Sequence, residues 1–219
     1  MRLKYLSLND PLYRYLCACR TDAADPVLRA LRKETQALGD ISRMQISEEQ
    51  GAFMQLLVAA IGAKSIIEVG TFTGYSSLCM ARALPRNGRL ICIDASEEWT
   101  AVAQKYWRKA GVADWIELRL GSAIPLLEKI ERNLRFDLAF IDAAKTEYDA
   151  YYELLLPRVR TNGLLLFDNM LWGGRLATKP LKHPDGRALN ALNRKLARDP
   201  RVESVLLPIA DGLQLCRKR

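Results

Sequence analysis

Ile66-Ile67-Glu68-Val69-Gly70-Thr71-Phe72-Thr73-Gly74-Tyr75-Ser76 reads as a strand running into a glycine-containing turn and then a helix. Upstream, Ser47 followed by Glu48, Glu49 and Gln50 resembles a capping box. Phe53, Leu56, Leu57, Ala60 and Ile61 then recur at helical spacing. Strand-length apolar runs at Ser65 to Val69, Leu90 to Ile93, Trp115 to Leu118, Phe136 to Ile141 and Leu164 to Phe167 are separated by helical segments. That alternation predicts a parallel α/β sheet. The tail breaks the rhythm: Val202 to Ile209 and Leu213 to Cys216 are joined through Asp211 and Gly212, a hairpin signal, so the last two strands are expected to be antiparallel. Asn9-Asp10-Pro11 and Asp25-Pro26 mark helix starts before Leu12 to Cys19 and Val27 to Leu38. Residues 1–43 are therefore read as a helical extension and 44–219 as the core of a single domain.

In sheets of this kind ligands bind beyond the carboxyl ends of the strands, where the first turn brings backbone close. Gly70 and Gly74 supply that approach. A dinucleotide fingerprint would place glycine two positions after Gly70, where Phe72 stands; its bulk disfavours a pyrophosphate and hence a nicotinamide cofactor. S-adenosylmethionine has no phosphate and carries an ammonium group, which suits Glu68 at the strand end. Asp94 closes the next run, where a carboxylate can accept from the hydroxyls of a ribose. Taken singly, such glycines and acids also serve as turn and capping residues; their joint order points to a nucleoside site.

Two further runs end in oxygen donors, Phe136 to Ile141 in Asp142 and Leu164 to Phe167 in Asp168-Asn169. Two carboxylates and an amide oxygen in one crevice match a hard cation such as magnesium, with calcium or manganese as alternatives. A cation at a substrate hydroxyl stabilises the oxyanion that attacks the methyl group. Lys145, at the start of the next helix, is the candidate proton acceptor. Tyr148, Tyr151 and Tyr152 fall at helical spacing and are read as packing residues, Trp172 as a candidate wall of an aromatic pocket, and His183 as a solvated loop histidine.

Composition fits these assignments. The 219 residues are 49% hydrophobic and 26% charged, enough for a full core and a cofactor cleft. Five scattered cysteines read as reduced thiols, one histidine gives a zinc site poor support, and no apolar run is long enough to span a membrane; a cytoplasmic location is expected. The formal charge of +8 is spread along the chain, with short knots at Arg29 to Lys33 and Arg217 to Arg219. It reads as a basic surface first and permits an RNA or other polyanionic partner.

Five segments carry a family resemblance: Met44-Gln45-Ile46-Ser47, Glu68 to Ser76, Phe140-Ile141-Asp142-Ala143-Ala144-Lys145, Asp168-Asn169-Met170-Leu171-Trp172 and Leu207-Pro208-Ile209-Ala210-Asp211-Gly212. In that order the chain resembles the cation-dependent O-methyltransferases of caffeoyl-coenzyme A and catechol type. The resemblance implies a Rossmann-like class I methyltransferase fold with a mostly parallel seven-stranded sheet ending in the hairpin. It implies S-adenosylmethionine contacts at Ile46, Glu68, Gly70, Thr71, Ser76, Asp94, Ala123 and Asp142, metal ligation by Asp142, Asp168 and Asn169, and catalysis by Lys145 with Asp142. A homodimer and methylation of a hydroxyl on a small aromatic substrate are implied as well. Plant caffeoyl-coenzyme A enzymes usually carry aspartate where this chain has Ala144 and asparagine where it has Gly173, which separates this chain from their specificity. Two alternatives stand beside this reading: a tRNA hydroxyuridine O-methyltransferase of a bacterial branch of the family, and a cofactor-binding scaffold without chemistry.

Overall fold

The computed structural model describes residues 4–178 and 180–219. Its strands are β1 (Ser65–Val69), β2 (Arg89–Asp94), β3 (Ile116–Leu120), β4 (Phe136–Ile141), β5 (Val159–Phe167), β6 (Val202–Leu207) and β7 (Leu213–Lys218). They form one seven-stranded sheet in the order β3-β2-β1-β4-β5-β7-β6. β1 to β5 pair in parallel, whereas β7 pairs antiparallel with both β5 and β6. Chain order reverses between β1 and β4, which places the ligand crevice of a doubly wound sheet at that junction.

Side-chain alternation divides the core into two layers. Ile66, Leu90, Cys92, Leu138, Phe140 and Leu166 face α2 (Pro26–Gln36), α3 (Glu48–Ala60), α4 (Tyr75–Arg82) and α5 (Glu97–Lys109). Ile67, Val69, Ile91, Ile93, Ile141 and Phe167 face α6 (Ala123–Glu128), α7 (Tyr148–Leu155) and α8 (Pro184–Leu196). Strands covered on both faces need apolar residues at every position, which is why these runs are continuous in the sequence.

The N-terminal caps form as expected. Asn9 Oδ1 accepts from Leu12 N at 3.0 Å to start α1 (Asp10–Ala18), and Asp25 Oδ1 accepts from Val27 N and Leu28 N at 2.9 and 2.8 Å to start α2. The capping box at α3 does not form. Ser47 has the extended backbone of a cap but makes no side-chain cap bond. The residue that would close the box, Gln50, is fully buried instead of reaching back. Neighbouring Glu48 is drawn to Arg20 and Arg32, and Glu49 accepts from Tyr13 Oη at 2.6 Å.

Strand limits differ from the apolar runs where polar residues pair. β5 begins at Val159, through exposed Thr161 and Asn162, because Val159 is in register with Phe136 of β4. β6 stops at Leu207, so Pro208 to Gly212 makes the turn and Ala210 takes a positive φ of 46°.

Backbone bonds stitch the carboxyl ends of the parallel strands together: Gly70 N to Ile93 O at 2.9 Å, Asp142 N to Val69 O at 2.8 Å, and Asp168 N to Ile141 O at 3.1 Å. Gly70 sits at φ 91°, and a Cβ there would lie 2.1 Å from the carbonyl oxygen of Asp142. Both the dihedral and the clash exclude a side chain. Gly70→Ala is therefore expected to lower the free energy of unfolding by about 3 kcal/mol or more. Urea unfolding at unchanged m-value checks this, and a loss under about 1 kcal/mol would show that the turn can move off Asp142.

Candidate active site

Glu68, Gly70, Thr71, Asp94, Asp142, Asp168 and Asn169 all lie at or just past the carboxyl ends of β1, β2, β4 and β5, on one edge of the sheet. Ile46 is buried just before α3, and Ala123 opens α6 after β3. The turn from Gly70 to Gly74 is gripped from two sides. Asp94 Oδ2 accepts from Thr71 N and Phe72 N, each at 2.8 Å, while its Oδ1 accepts from Ser96 N at 2.8 Å. On the other side Thr73 Oγ1 accepts from Thr35 of α2 at 2.9 Å, and Gln45 Nε2 reaches both hydroxyls at 3.1 and 3.3 Å.

These bonds refine the reading of Asp94 and of the glycines. A carboxylate has about four acceptor directions. Backbone N–H groups fill most of those on Asp94, which leaves one on Oδ1 for a ligand hydroxyl. Gly74 is small because α5 packs there: a Cβ would sit 2.5 Å from the Cβ of Ala103. Phe72 adopts φ 52° and stacks edge-on to Trp99 at 5.1 Å, so the bulk that argued against a pyrophosphate is buried against α5.

Glu68 is fully buried beneath α4. It accepts from Ser76 Oγ at 2.5 Å and from Cys92 Sγ at 3.3 Å. Burial pushes its carboxyl up to about 7, with the charge on Asp142 adding to the shift. Thr71 Oγ1 and Ser47 Oγ are buried without a hydrogen-bond partner. Orphaned hydroxyls after β1 and at the start of α3 are what a bound polar ligand would satisfy.

At the β4 end, Lys145 Nζ donates to Asp142 Oδ1 at 2.6 Å and to Tyr148 Oη at 2.7 Å, and Tyr148 Oη donates to the backbone carbonyl of Asp168 at 3.3 Å. Tyr148, Tyr151 and Tyr152 are buried in the core, as their spacing suggested. Asp168 is 3% exposed, and no ion pair among the described residues includes it. Desolvation first, and then the nearby Asp142 charge, raise its pKa. Asn169 N–H donates to Asp168 Oδ1 at 2.6 Å, and Asn169 itself is at φ 59°, a left-handed conformation that asparagine tolerates.

Among the described residues no group of three or more His, Cys, Asp or Glu converges as a metal site. The expected donors include only two carboxylates, with an amide as the third. Their chemistry nevertheless fits a hard cation: the one lysine pairs with Asp142, and buried Asp168 carries no ion pair among the described residues.

Sequence reading missed two contributors. Asp211 accepts from Gly173 N through Oδ1 at 2.5 Å, its carbonyl accepts from Leu171 N at 2.8 Å, and Gly212 O accepts from Met170 N at 2.9 Å. The hairpin turn thus clamps the loop that carries Asp168 and Asn169. Gln50 is the second, a buried carboxamide with both polar atoms unpartnered. Trp172 is half-buried at φ 53°, flanked by the exposed His183 ring at 5.6 Å and by the Arg175 guanidinium at 4.9 Å. Ala144 and Gly173 are both exposed, so neither offers a polar side chain at the positions where the plant enzymes differ.

A parallel sheet that ends in an inserted antiparallel strand, with acids along its carboxyl edge, is the architecture of class I methyltransferases. A family model described as O-methyltransferase matches residues 19–219. Tricin synthase 2 of Oryza sativa subsp. japonica is 43% identical over 185 residues, covering 80% of this chain and 63% of that protein. Caffeoyl-CoA O-methyltransferase of Eucalyptus gunnii is 35% identical over 225 residues, covering 98% of this chain and 90% of that protein. The O-methyltransferase of Bacillus cereus, solved in complex with SAH, superposes with a TM-score of 0.86 at 29% identity, covering 94% of this chain and 96% of that one. The chain belongs to the O-methyltransferase family.

The raised Glu68 carboxyl makes a pH prediction. A folded-state value of about 7 against an ordinary value of 4.5 means the native state holds the proton that the unfolded state releases. Its contribution to stability is full below pH 4.5 and is lost as pH rises through about 7. Free energies of unfolding measured from pH 4.5 to 8 on ligand-free protein are expected to fall more steeply for wild type than for Glu68→Gln, by about 3 kcal/mol across the window. Parallel curves would show that Glu68 is not desolvated as described.

Proposed function

We propose that this chain transfers the methyl group of S-adenosylmethionine to a hydroxyl of a small aromatic, catechol- or caffeoyl-like acceptor, and that it requires a divalent cation. The observation that carries this reading is the pair of Asp142 and Asp168 at the ligand edge of the sheet, the first paired with Lys145 and the second buried without an ion pair among the described residues. The names of the tricin synthase and caffeoyl-CoA relatives support a phenolic acceptor, and the SAH in the Bacillus cereus structure supports the methyl donor.

Ile46, Glu68, Gly70, Thr71, Ser76, Asp94, Ala123 and Asp142 are assigned to the methyl donor. The Gly70 to Gly74 turn is fixed before the ligand arrives by Asp94 and by the Thr35-Thr73-Gln45 bonds, so its backbone needs no ordering on binding. Asp94 offers its remaining Oδ1 direction to one ribose hydroxyl, and the Thr71 hydroxyl is free to meet the amino-acid part. Asp142, Asp168 and Asn169 are assigned to the cation, magnesium first, which when bound supplies the positive charge that lowers the pKa of a substrate hydroxyl.

In the transfer, a bond forms between the acceptor oxygen and the methyl carbon while the carbon–sulfur bond breaks and its electron pair stays on sulfur. Lys145, in its unprotonated form, takes the hydroxyl proton at Nζ. Asp142 Oδ1 and Tyr148 Oη hold that nitrogen at 2.6 and 2.7 Å. Half-buried Trp172 supplies an apolar wall for the acceptor ring. The whole chain is assigned as one catalytic domain whose N-terminal segment is part of a homodimer contact, a reading supported by the exposure of Tyr5, Leu6 and Tyr15.

Labelled S-adenosylmethionine, offered with a catechol panel and separately with hydroxylated tRNA, tests this function. Transfer to a catechol that stops with chelator and returns with magnesium is expected. Asp168→Ala should retain binding of S-adenosylhomocysteine and lose about two orders of magnitude or more in kcat. Undiminished activity of Asp168→Ala, or transfer insensitive to chelator, would remove the metal assignment; label entering RNA alone would move the substrate to tRNA.

A further inference from the structure

Gln50 lies in the first turn of α3, fully buried, with neither Oε1 nor Nε2 hydrogen-bonded. A helix would gain if this side chain turned back to cap its own N-terminus, as its spacing from Ser47 allows. It goes inward instead, near enough to Asp168 for its amide to lower that carboxyl's pKa, but without hydrogen-bond geometry to it. The neighbouring glycine fixes its place: Gly51 packs so closely on α4 that a Cβ would lie 2.8 Å from the Tyr75 ring and 2.9 Å from Cys79 Sγ. That contact seats the first turn of α3 against α4, and Gln50, next to it, is fully buried.

Asp168 is held unevenly. Oδ1 accepts from Asn169 N–H at 2.6 Å, while no hydrogen bond among the described residues ends on Oδ2. Lys145, the nearby cation, is directed to Asp142 and Tyr148. A buried carboxylate anchored at one oxygen keeps freedom to rotate, which weakens it as a ligand unless a second donor fixes it.

We propose that Gln50 is a positioning residue for the Asp168 carboxylate, its Nε2–H donating to that group when a divalent cation occupies the site and fixing the orientation in which Asp168 ligates. This inference rests on the cation reading above. Gln50 would then be a residue kept for the loaded site, at the expense of an unsatisfied amide in the empty one.

Gln50→Met tests it, because methionine keeps the volume and helix propensity and removes both polar atoms. Magnesium titration by calorimetry, with S-adenosylhomocysteine present, is expected to show Kd for Mg2+ raised about tenfold or more. The Kd for S-adenosylhomocysteine should stay within about twofold, and the metal-free unfolding midpoint should be unchanged or higher, since an unpartnered buried amide has been replaced by an apolar group. A purely structural role predicts the reverse: a lower midpoint and weakened binding of both ligands. Magnesium affinity equal to wild type overturns the proposal while leaving the cation reading intact. Absence of magnesium binding by wild type, matched by Asp168→Ala, overturns both. If Gln50→Met fails to fold, Gln50→Leu carries the same comparison.

Discussion

The structure depends on the contact between the backbone of Gly70 and the carbonyl of Asp142. It occurs where β1 and β4 lie side by side and the chain order reverses, so one missing Cβ decides how near the two halves of the sheet come. That proximity organises the ligand edge. Asp142 N bonds to Val69 O, Gly70 N bonds to Ile93 O, and the carboxyl ends of three strands become a continuous edge. Asp94 and the Thr35-Thr73 pair then fix the turn from outside, so the candidate donor site is formed by rigid elements.

The electrostatics of that edge are unbalanced. Glu68 is buried with hydroxyl and thiol donors and, among the described residues, no cation; Asp168 has a backbone N–H; Asp142 takes the lysine. A protein selected for stability alone would replace such acids with apolar residues of similar volume. Their presence beside a sheet core otherwise built of Ile, Leu, Val and Phe sets this edge apart from the rest of the sheet as a candidate functional site.

Much of this was legible in the sequence because parallel strands covered on both faces must be apolar throughout. The runs at Ser65 to Val69 and Phe136 to Ile141 match β1 and β4 residue for residue, so Gly70 and Asp142 directly after them could be assigned to the ligand edge. The features that escaped detection have a common cause: they depend on which way a side chain turns. Spacing placed Gln50 in a capping box, but its side chain is buried in the core instead, a direction that spacing does not encode. Asp211-Gly212 read as a turn, and nothing local indicated that the turn clamps the Asp168-Asn169 loop. The start of β5 was missed because Thr161 and Asn162 are exposed, and a pairing partner rather than hydrophobicity holds them in the strand. Asp94 was correctly placed at a strand end, yet its backbone bonds lie too near in space and too far in sequence for a pattern to find.

β7 lies between β5 and β6, and its turn supplies the groups that hold Leu171, Met170 and Gly173. In a chain made from its N-terminus, the strand that fills this gap is the last of the sheet to leave the ribosome. Until the segment through Lys218 is free, β5 has an unpaired edge and the loop after it has no clamp. Closure of the loop that carries Asp168 and Asn169 therefore waits on β7, and a chain lacking this strand would keep the β1–β4 edge while leaving that loop without its clamp.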